Sequence, residues 1–64
     1  MPVINVITGP TPEEMKEKLV ERLTAEASSI IQVGAEHFTV LITELPRENM
    51  GVGGKTVKAL LAGK

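Results

Sequence analysis

The sequence predicts an α/β fold in which a strand, a helix and a second, parallel strand form one βαβ unit. Three observations indicate it: a short β-branched segment, a long stretch with helical periodicity and a segment of alternating side chains (residues 3–8, 12–32 and 37–45). A helical crossover of this length suits parallel pairing with right-handed connectivity. Sixty-four residues make one domain at most.

The first predicted strand, Val3 to Thr8, reads V-I-N-V-I-T. Its short length and β-branched composition are typical of a strand that is mostly buried. Gly9 and Pro10 follow directly and end the strand.

The predicted helix has a strong start signal. Thr11 is the expected N-cap, Pro12 suits the first helical position, and Glu14 completes a T-x-x-E capping box. The helix is predicted to run to about Gln32, with Gly34 as the residue beyond its carboxyl end. Its apolar stripe is expected to face the core and consists of Met15, Leu19, Val20, Leu23, Ala27, Ile30 and Ile31.

The second predicted strand extends from His37 to Leu45 and ends at Pro46. One face carries Phe38, Val40 and Ile42, and the other carries Thr39, Leu41 and Thr43. A glycine-rich loop follows, and the tail from Lys55 to Lys64 is predicted to form a short hairpin strand or a helical turn. Two strands leave both sheet edges open, so another subunit is expected to complete the sheet.

The composition also predicts oligomerisation. A chain of this length buries only roughly 60% of its unfolded surface, and small domains usually need disulfides, a metal or partner subunits. There is no cysteine, and the only histidine, His37, has no cysteine partners for a structural zinc site. With 42% hydrophobic residues and a single aromatic, Phe38, part of the aliphatic surface is expected in subunit contacts.

Charge and motifs exclude several classes of protein. A net charge of −1 and the lack of aromatic platforms argue against nucleic-acid binding. No apolar run approaches the ~20 residues of a membrane span, and no signal peptide is visible, so a soluble cytoplasmic protein is expected. Gly54-Lys55-Thr56 matches the end of a phosphate-binding loop, but Asn49 stands where that loop requires glycine. No cofactor or metal is therefore expected.

The candidate catalyst is the amino group of Pro2. Removal of Met1 would expose a rigid secondary amine at the start of the first strand. A free α-amino group has a pKa of about 7.7–8.0, and apolar surroundings lower it further. Such an amine is a competent base at neutral pH, suited to proton transfer next to a carbonyl or to iminium formation. The carboxylates of Glu36, Glu44 and Glu48 are interpreted as surface charge.

The chain resembles the 4-oxalocrotonate tautomerase family over nearly its whole length. The resemblance rests on M-P-x-I-x-V at the start, the helix, a strand ending in I-T-E-L-P-x-E-N, and G-V-G-G after it. It implies a single tautomerase-like domain over residues 1–64, with a C-terminal hairpin and assembly into a homohexamer, a trimer of dimers. It further implies an isomerase of aromatic-compound catabolism in which Pro2 is the general base for a small-molecule enol substrate.

The resemblance also assigns positions that contact substrate. Two family arginines that grip substrate carboxylates correspond here to Thr11 and Thr39, and the family's aromatic pocket residue corresponds to Met50. Threonine lacks the bidentate, charge-assisted contact of arginine, whereas Met50 keeps the pocket apolar. Arg47 or Lys16 from another subunit is a hypothetical replacement for the missing positive charge.

The expected function is enol–keto isomerisation of a small unsaturated 2-hydroxy or 2-oxo acid. One alternative is a non-catalytic or partner subunit on the same scaffold, favoured by the absence of the arginines. Another is hydration or dehalogenation of a small unsaturated acid, which needs a water-activating carboxylate and cationic anchors that the sequence does not place.

Overall fold

The computed structural model describes residues 1–63 and contains a parallel two-stranded sheet with one long helix crossing between its strands. In chain order the elements are β1 (Val3–Thr8), α1 (Glu13–Ile31), β2 (Thr39–Glu44), β3 (Gly51–Val52), β4 (Lys55–Thr56) and α2 (Val57–Ala62). Single 3₁₀ turns precede and follow β2 (Ala35–His37 and Arg47–Asn49). The predicted βαβ unit with parallel strands is confirmed.

The two long strands are in register from end to end. Val3 pairs with Thr39, and Thr8 pairs with Glu44. The ladder continues one residue beyond each end, because the Thr39 N–H donates to the Pro2 carbonyl (3.1 Å) and the Leu45 N–H donates to the Thr8 carbonyl (2.9 Å). The parallel register therefore puts the amino ends of both strands at the same end of the sheet and their carboxyl ends at the other.

The C-terminal segment contains both structures predicted for it. β3 and β4 form an antiparallel hairpin whose central residues, Gly53 and Gly54, have φ values of 61° and 86°. Positive φ at both positions is what a two-residue type I′ turn requires, which explains the glycine pair. The short helix α2 follows, with the Thr56 hydroxyl accepting the Ala59 N–H (3.1 Å). Lys64, the last residue of the predicted tail, lies outside the described residues.

The helix α1 ends where predicted, at Ile31 with Gln32 as its C-cap, but the residues predicted to cap its two ends differ from the structure. The N-cap is Pro12, and the capping box from Thr11 to Glu14 is wrong because the Thr11 hydroxyl instead donates to the Gly9 carbonyl (2.9 Å). At the carboxyl end the residue in the left-handed conformation is Gln32 (φ 64°), whereas the sequence predicts Gly34 for this role. Gly34 has φ −57° and is not the terminating residue.

The side chains of β1 and β2 divide between a covered and an open face of the sheet. The predicted partition of β2 is confirmed: Phe38, Val40 and Ile42 are half-buried, whereas Thr39, Leu41 and Thr43 are exposed. The expectation that β1 is mostly buried is wrong for the single chain, since Val3 is 57% exposed and Ile7 64%. These residues lie on the face of the sheet that α1 does not cover.

A single chain leaves an unusually large surface open. Its accessible area is 5018 Å², whereas a monomer of its 6.8 kDa mass is expected to expose about 4,000 Å². Its radius of gyration is 14.9 Å, against about 11 Å expected for a compact domain of this length. No side chain in residues 1–63 is fully buried, and the predicted core stripe of α1 is largely solvent-exposed at Met15, Ile30 and Ile31.

Within the described chain, neither helix has the length and apolar character needed to cross a membrane.

Candidate active site

Pro2 lies at the amino end of the sheet, one residue before β1. It is half-buried, and its carbonyl is held by the Thr39 N–H. While Met1 is attached, the Pro2 nitrogen belongs to a peptide bond and its lone pair is delocalised. Removal of Met1 converts this nitrogen into a secondary amine whose position is fixed by the ring and by the anchored carbonyl.

Thr39 touches Pro2 through its backbone and not through its side chain. Because side chains alternate along a strand, Thr39 shares the open face of the sheet with its partner Val3, whereas Pro2 lies with Ile4 on the other face. The Thr39 hydroxyl is thus available to a molecule on the open face, and not to one that reaches Pro2 of the same chain from the helix side.

Thr11 and Met50 lie together at the opposite end of the sheet. The Thr11 hydroxyl bonds to the Gly9 carbonyl, and the Met50 Cε atom lies 3.5 Å from where a Cβ on Gly9 would stand. The Met50 carbonyl accepts the Val57 N–H (2.7 Å), which fixes the residue against the C-terminal segment. We refer to Gly9, Thr11, Lys16, Glu44 and Met50 as the carboxyl-end cluster.

The four predicted site residues are therefore not assembled within one chain. β1 has six residues, and at about 3.3 Å per residue its two ends are roughly 20 Å apart. Pro2 is at one end, while Thr11 and Met50 are at the other. A small substrate that contacts all three needs the carboxyl-end cluster of one chain and Pro2 of another.

Both hydrogen-bond donors of Thr11 are already used inside the chain. Its N–H donates to Glu44 Oε2 (2.7 Å) and its hydroxyl donates to Gly9. A threonine hydroxyl has only one proton, so Thr11 retains its oxygen lone pairs and its methyl group for a ligand. It cannot take over the anion-gripping role of an arginine without giving up one of these bonds.

Glu44 is a structural partner that the sequence interpretation missed. Rather than free surface charge, its carboxylate accepts the Thr11 N–H through Oε2 and the Lys16 ammonium group through Oε1 (2.8 Å). Its place at the end of β2, beside the loop that follows β1, was a signal for this contact. Lys16, considered as a replacement cation, is thus engaged by Glu44, whereas Arg47 is exposed and forms no salt bridge within residues 1–63.

The surroundings of Glu44 predict a pH-dependent contact. The hydrogen bond from Lys16, followed by that from Thr11, lowers the pKa of the Glu44 carboxyl below its ordinary value of 4.5. A lowered pKa means that the contact is fully present above pH 4.5 and is lost as the pH falls through the lower value.

We expect the Thr11 amide proton resonance to titrate with a midpoint below 4.5, as followed by two-dimensional NMR of ¹⁵N-labelled protein. In a Glu44→Gln variant the titration should disappear, which serves as the control. A midpoint at or above 4.5 would contradict the geometry of the contact.

The remaining ionisable candidates lie apart from this cluster. His37 Nε2 is 3.7 Å from Glu36 Oε2, and both side chains are largely exposed, as expected for solvated groups. In the part of the chain that the structure describes, no three His, Asp or Glu side chains form a group that could hold a metal ion.

Comparisons with known proteins agree with this architecture. The model of the tautomerase enzyme family matches residues 2–60. A 2-hydroxymuconate tautomerase from Pseudomonas sp. (strain CF600) is 33% identical over 57 residues, which cover 86% of this chain and 89% of that protein. The crystal structure of TomN, a 4-oxalocrotonate tautomerase homologue of the tomaymycin biosynthetic pathway, is 31% identical and covers 95% of both chains with a TM-score of 0.92.

A heterohexameric 4-oxalocrotonate tautomerase from Chloroflexus aurantiacus J-10-fl shares the fold at 23% identity. Its TM-score is 0.83, with 94% of this chain and 97% of that chain covered.

The βαβ unit with its C-terminal hairpin and the match over residues 2–60 define an isomerase of the tautomerase type. More narrowly, the chain belongs to the 4-oxalocrotonate tautomerase family.

Proposed function

We propose that the protein catalyses enol–keto isomerisation of a small unsaturated 2-hydroxy acid, with the Pro2 amine as the general base after removal of Met1. The observation that carries this proposal is the placement of Pro2. Its carbonyl is fixed by the Thr39 N–H, so the ring nitrogen is held at the end of the sheet. The 2-hydroxymuconate tautomerases among its relatives indicate the class of substrate.

The proposed reaction transfers one proton within the substrate. The neutral Pro2 amine accepts the proton of the 2-hydroxyl group, and the oxygen becomes a carbonyl as the conjugated electrons move toward carbon. The resulting ammonium group then returns the proton to carbon, which forms the C–H bond of the ketone and regenerates the amine. Nothing is consumed, so the enzyme needs only a correctly placed base that titrates near neutral pH.

A homohexamer, a trimer of dimers, is proposed as the active assembly. The site residues lie at opposite ends of a roughly 20 Å strand, so a second copy must bring its carboxyl-end cluster to Pro2. The open sheet face, with Val3, Ile7 and Leu41 each more than half exposed, offers an apolar surface for subunit contacts. The heterohexameric relative supports hexamer formation on this fold.

Substrate binding is proposed to rely more on shape than on charge pairing. Thr11 and Thr39 replace the arginines that the family resemblance places there, and the donors of Thr11 are engaged. Met50 supplies a flexible apolar wall. The Thr39 hydroxyl, exposed on the open sheet face, is proposed to hydrogen-bond a substrate carboxylate or carbonyl at the Pro2 of a neighbouring chain.

The direct test is turnover of 2-hydroxymuconate, followed by ultraviolet absorbance, with protein whose amino terminus has been defined by intact mass. Protein starting at Pro2 should isomerise the enol, and protein that retains Met1 should not, because its proline nitrogen is an amide. The assembly should have a mass of about 41 kDa, six times that of the 6.8 kDa chain.

An inactive hexamer with a free Pro2 amine would contradict the proposed catalytic role. Recovery of the native protein in a complex with a second, different chain would instead favour the partner-subunit alternative. Cytoplasmic location and a role in aromatic-compound catabolism remain predictions of the sequence.

A further inference from the structure

One carboxylate fastens three elements at the carboxyl end of the sheet. Glu44 ends β2, and its two oxygens hold the Thr11 N–H of the loop after β1 and the Lys16 ammonium group of α1. The loop is fixed a second time by the bond from the Thr11 hydroxyl to the Gly9 carbonyl. Met50 packs over Gly9, so the loop also determines where the Met50 side chain rests.

We propose that Glu44 is a positioning residue for substrate binding: it holds Thr11 and Met50 as the wall that one chain presents to Pro2 of a neighbouring chain. This inference rests on the proposed function and adds a residue to it. Glu44 does not touch the substrate. It acts through the backbone of Thr11, and its charge is balanced by Lys16.

The chemistry of the contact explains why a carboxylate is needed. The Thr11 N–H lies before the helix start at Pro12, so no helical carbonyl accepts it. A carboxylate has two oxygens, which allows it to serve Thr11 and Lys16 at once. Pairing with Lys16 also offsets a negative charge that would otherwise repel an anionic substrate in the adjoining site.

The wild-type hexamer, starting at Pro2, is compared with Glu44→Leu, which removes both acceptor oxygens. Loss of a charge-assisted hydrogen bond that orders the loop should raise KM for 2-hydroxymuconate about tenfold. The value of kcat should stay within about threefold, because the base is at the other end of the strand and belongs to another chain. A lower kcat with an unchanged KM would overturn the proposal.

A double variant, Glu44→Gln with Lys16→Met, separates loop positioning from the ion pair. The glutamine carbonyl can still accept the Thr11 N–H, and no lysine competes for it. We expect its KM to lie within about threefold of wild type, because the Thr11 N–H keeps an acceptor and the loop stays in place. A KM as high as that of Glu44→Leu would show that the ion pair matters and would refute positioning through Thr11.

A control variant and a fallback variant distinguish a loss of loop positioning from a general effect of substitution or a failure to assemble. Glu21→Gln is the matched control, because Glu21 is exposed and makes no side-chain hydrogen bond or ion pair with residues 1–63; its kinetics should equal those of wild type. If Glu44→Leu fails to assemble, Glu44→Met takes its place, because its unbranched side chain is close to glutamate in length and has no acceptor oxygen; an unchanged KM in this variant would overturn the proposal. Absence of turnover in the wild type would instead count against the proposed function.

Discussion

Replacing Pro2 by alanine in protein freed of Met1 should lower kcat/KM for 2-hydroxymuconate by at least about 100-fold, within the 10²–10⁴ range that general acid–base catalysis contributes. The alanine variant keeps a terminal amine but loses the ring that restricts its orientation. Steady-state kinetics of the enol-to-ketone conversion measure the effect. A ¹⁵N NMR titration of the wild-type amine should give a pKa near or below the ordinary 7.7–8.0, matching the rising limb of the pH–rate profile.

Pro46→Ala is the matched control for this experiment. Pro46 is exposed, and its carbonyl still accepts the Asn49 N–H when the ring is removed. The control should retain wild-type kinetics and the same oligomeric mass. If Pro2→Ala turned over the enol as fast as the control, the constrained secondary amine of Pro2 would not be needed for catalysis.

Two separately inactive variants should regain activity when mixed within one oligomer. Pro2→Ala lacks the constrained amine, and Thr11→Glu puts a negative charge where the carboxyl-end cluster is expected to meet an anionic substrate. If each site takes Pro2 from one chain and Thr11 from another, an equal mixture leaves about a quarter of the sites with neither substitution. Co-refolded mixtures should then show about a quarter of wild-type activity, and the separate variants almost none.

The mixing experiment has a simple control and a clear contrary result. Mixing each variant with itself after the same refolding step should leave it inactive. If the hetero-mixture also remained inactive while forming oligomers of the expected mass, Pro2 and Thr11 would belong to the same site in one chain or to no common site. The roughly 20 Å length of β1 argues against the first of these.

Local sequence signals were sufficient for the main elements of the fold. The β-branched segment at residues 3–8, the periodic stretch that became α1 and the alternating segment around β2 each carry a pattern that follows from side-chain geometry. The glycine pair at 53 and 54 likewise matches a turn that needs positive φ. These features depend on neighbouring residues, which a sequence displays directly.

Contacts between distant residues were not predictable in the same way. Thr11 has the residue type of an N-cap, but a carboxylate 33 positions away accepts its N–H, and the N-cap is the next residue, Pro12. The residues next to Thr11 in the sequence do not distinguish an N-cap from a loop residue held by a distant carboxylate. The candidate site posed a further difficulty, because its residues are placed at opposite ends of β1 and only the arrangement of several copies can bring them together.

The lack of any fully buried side chain in residues 1–63 has a consequence for how the protein responds to dilution. If the apolar sheet face is covered only in the hexamer, unfolding and dissociation are one equilibrium, and the melting temperature rises with protein concentration. The amount of protein in the cell would then set how much of it is folded. The chain would then be protected from proteolysis only at concentrations high enough for it to associate.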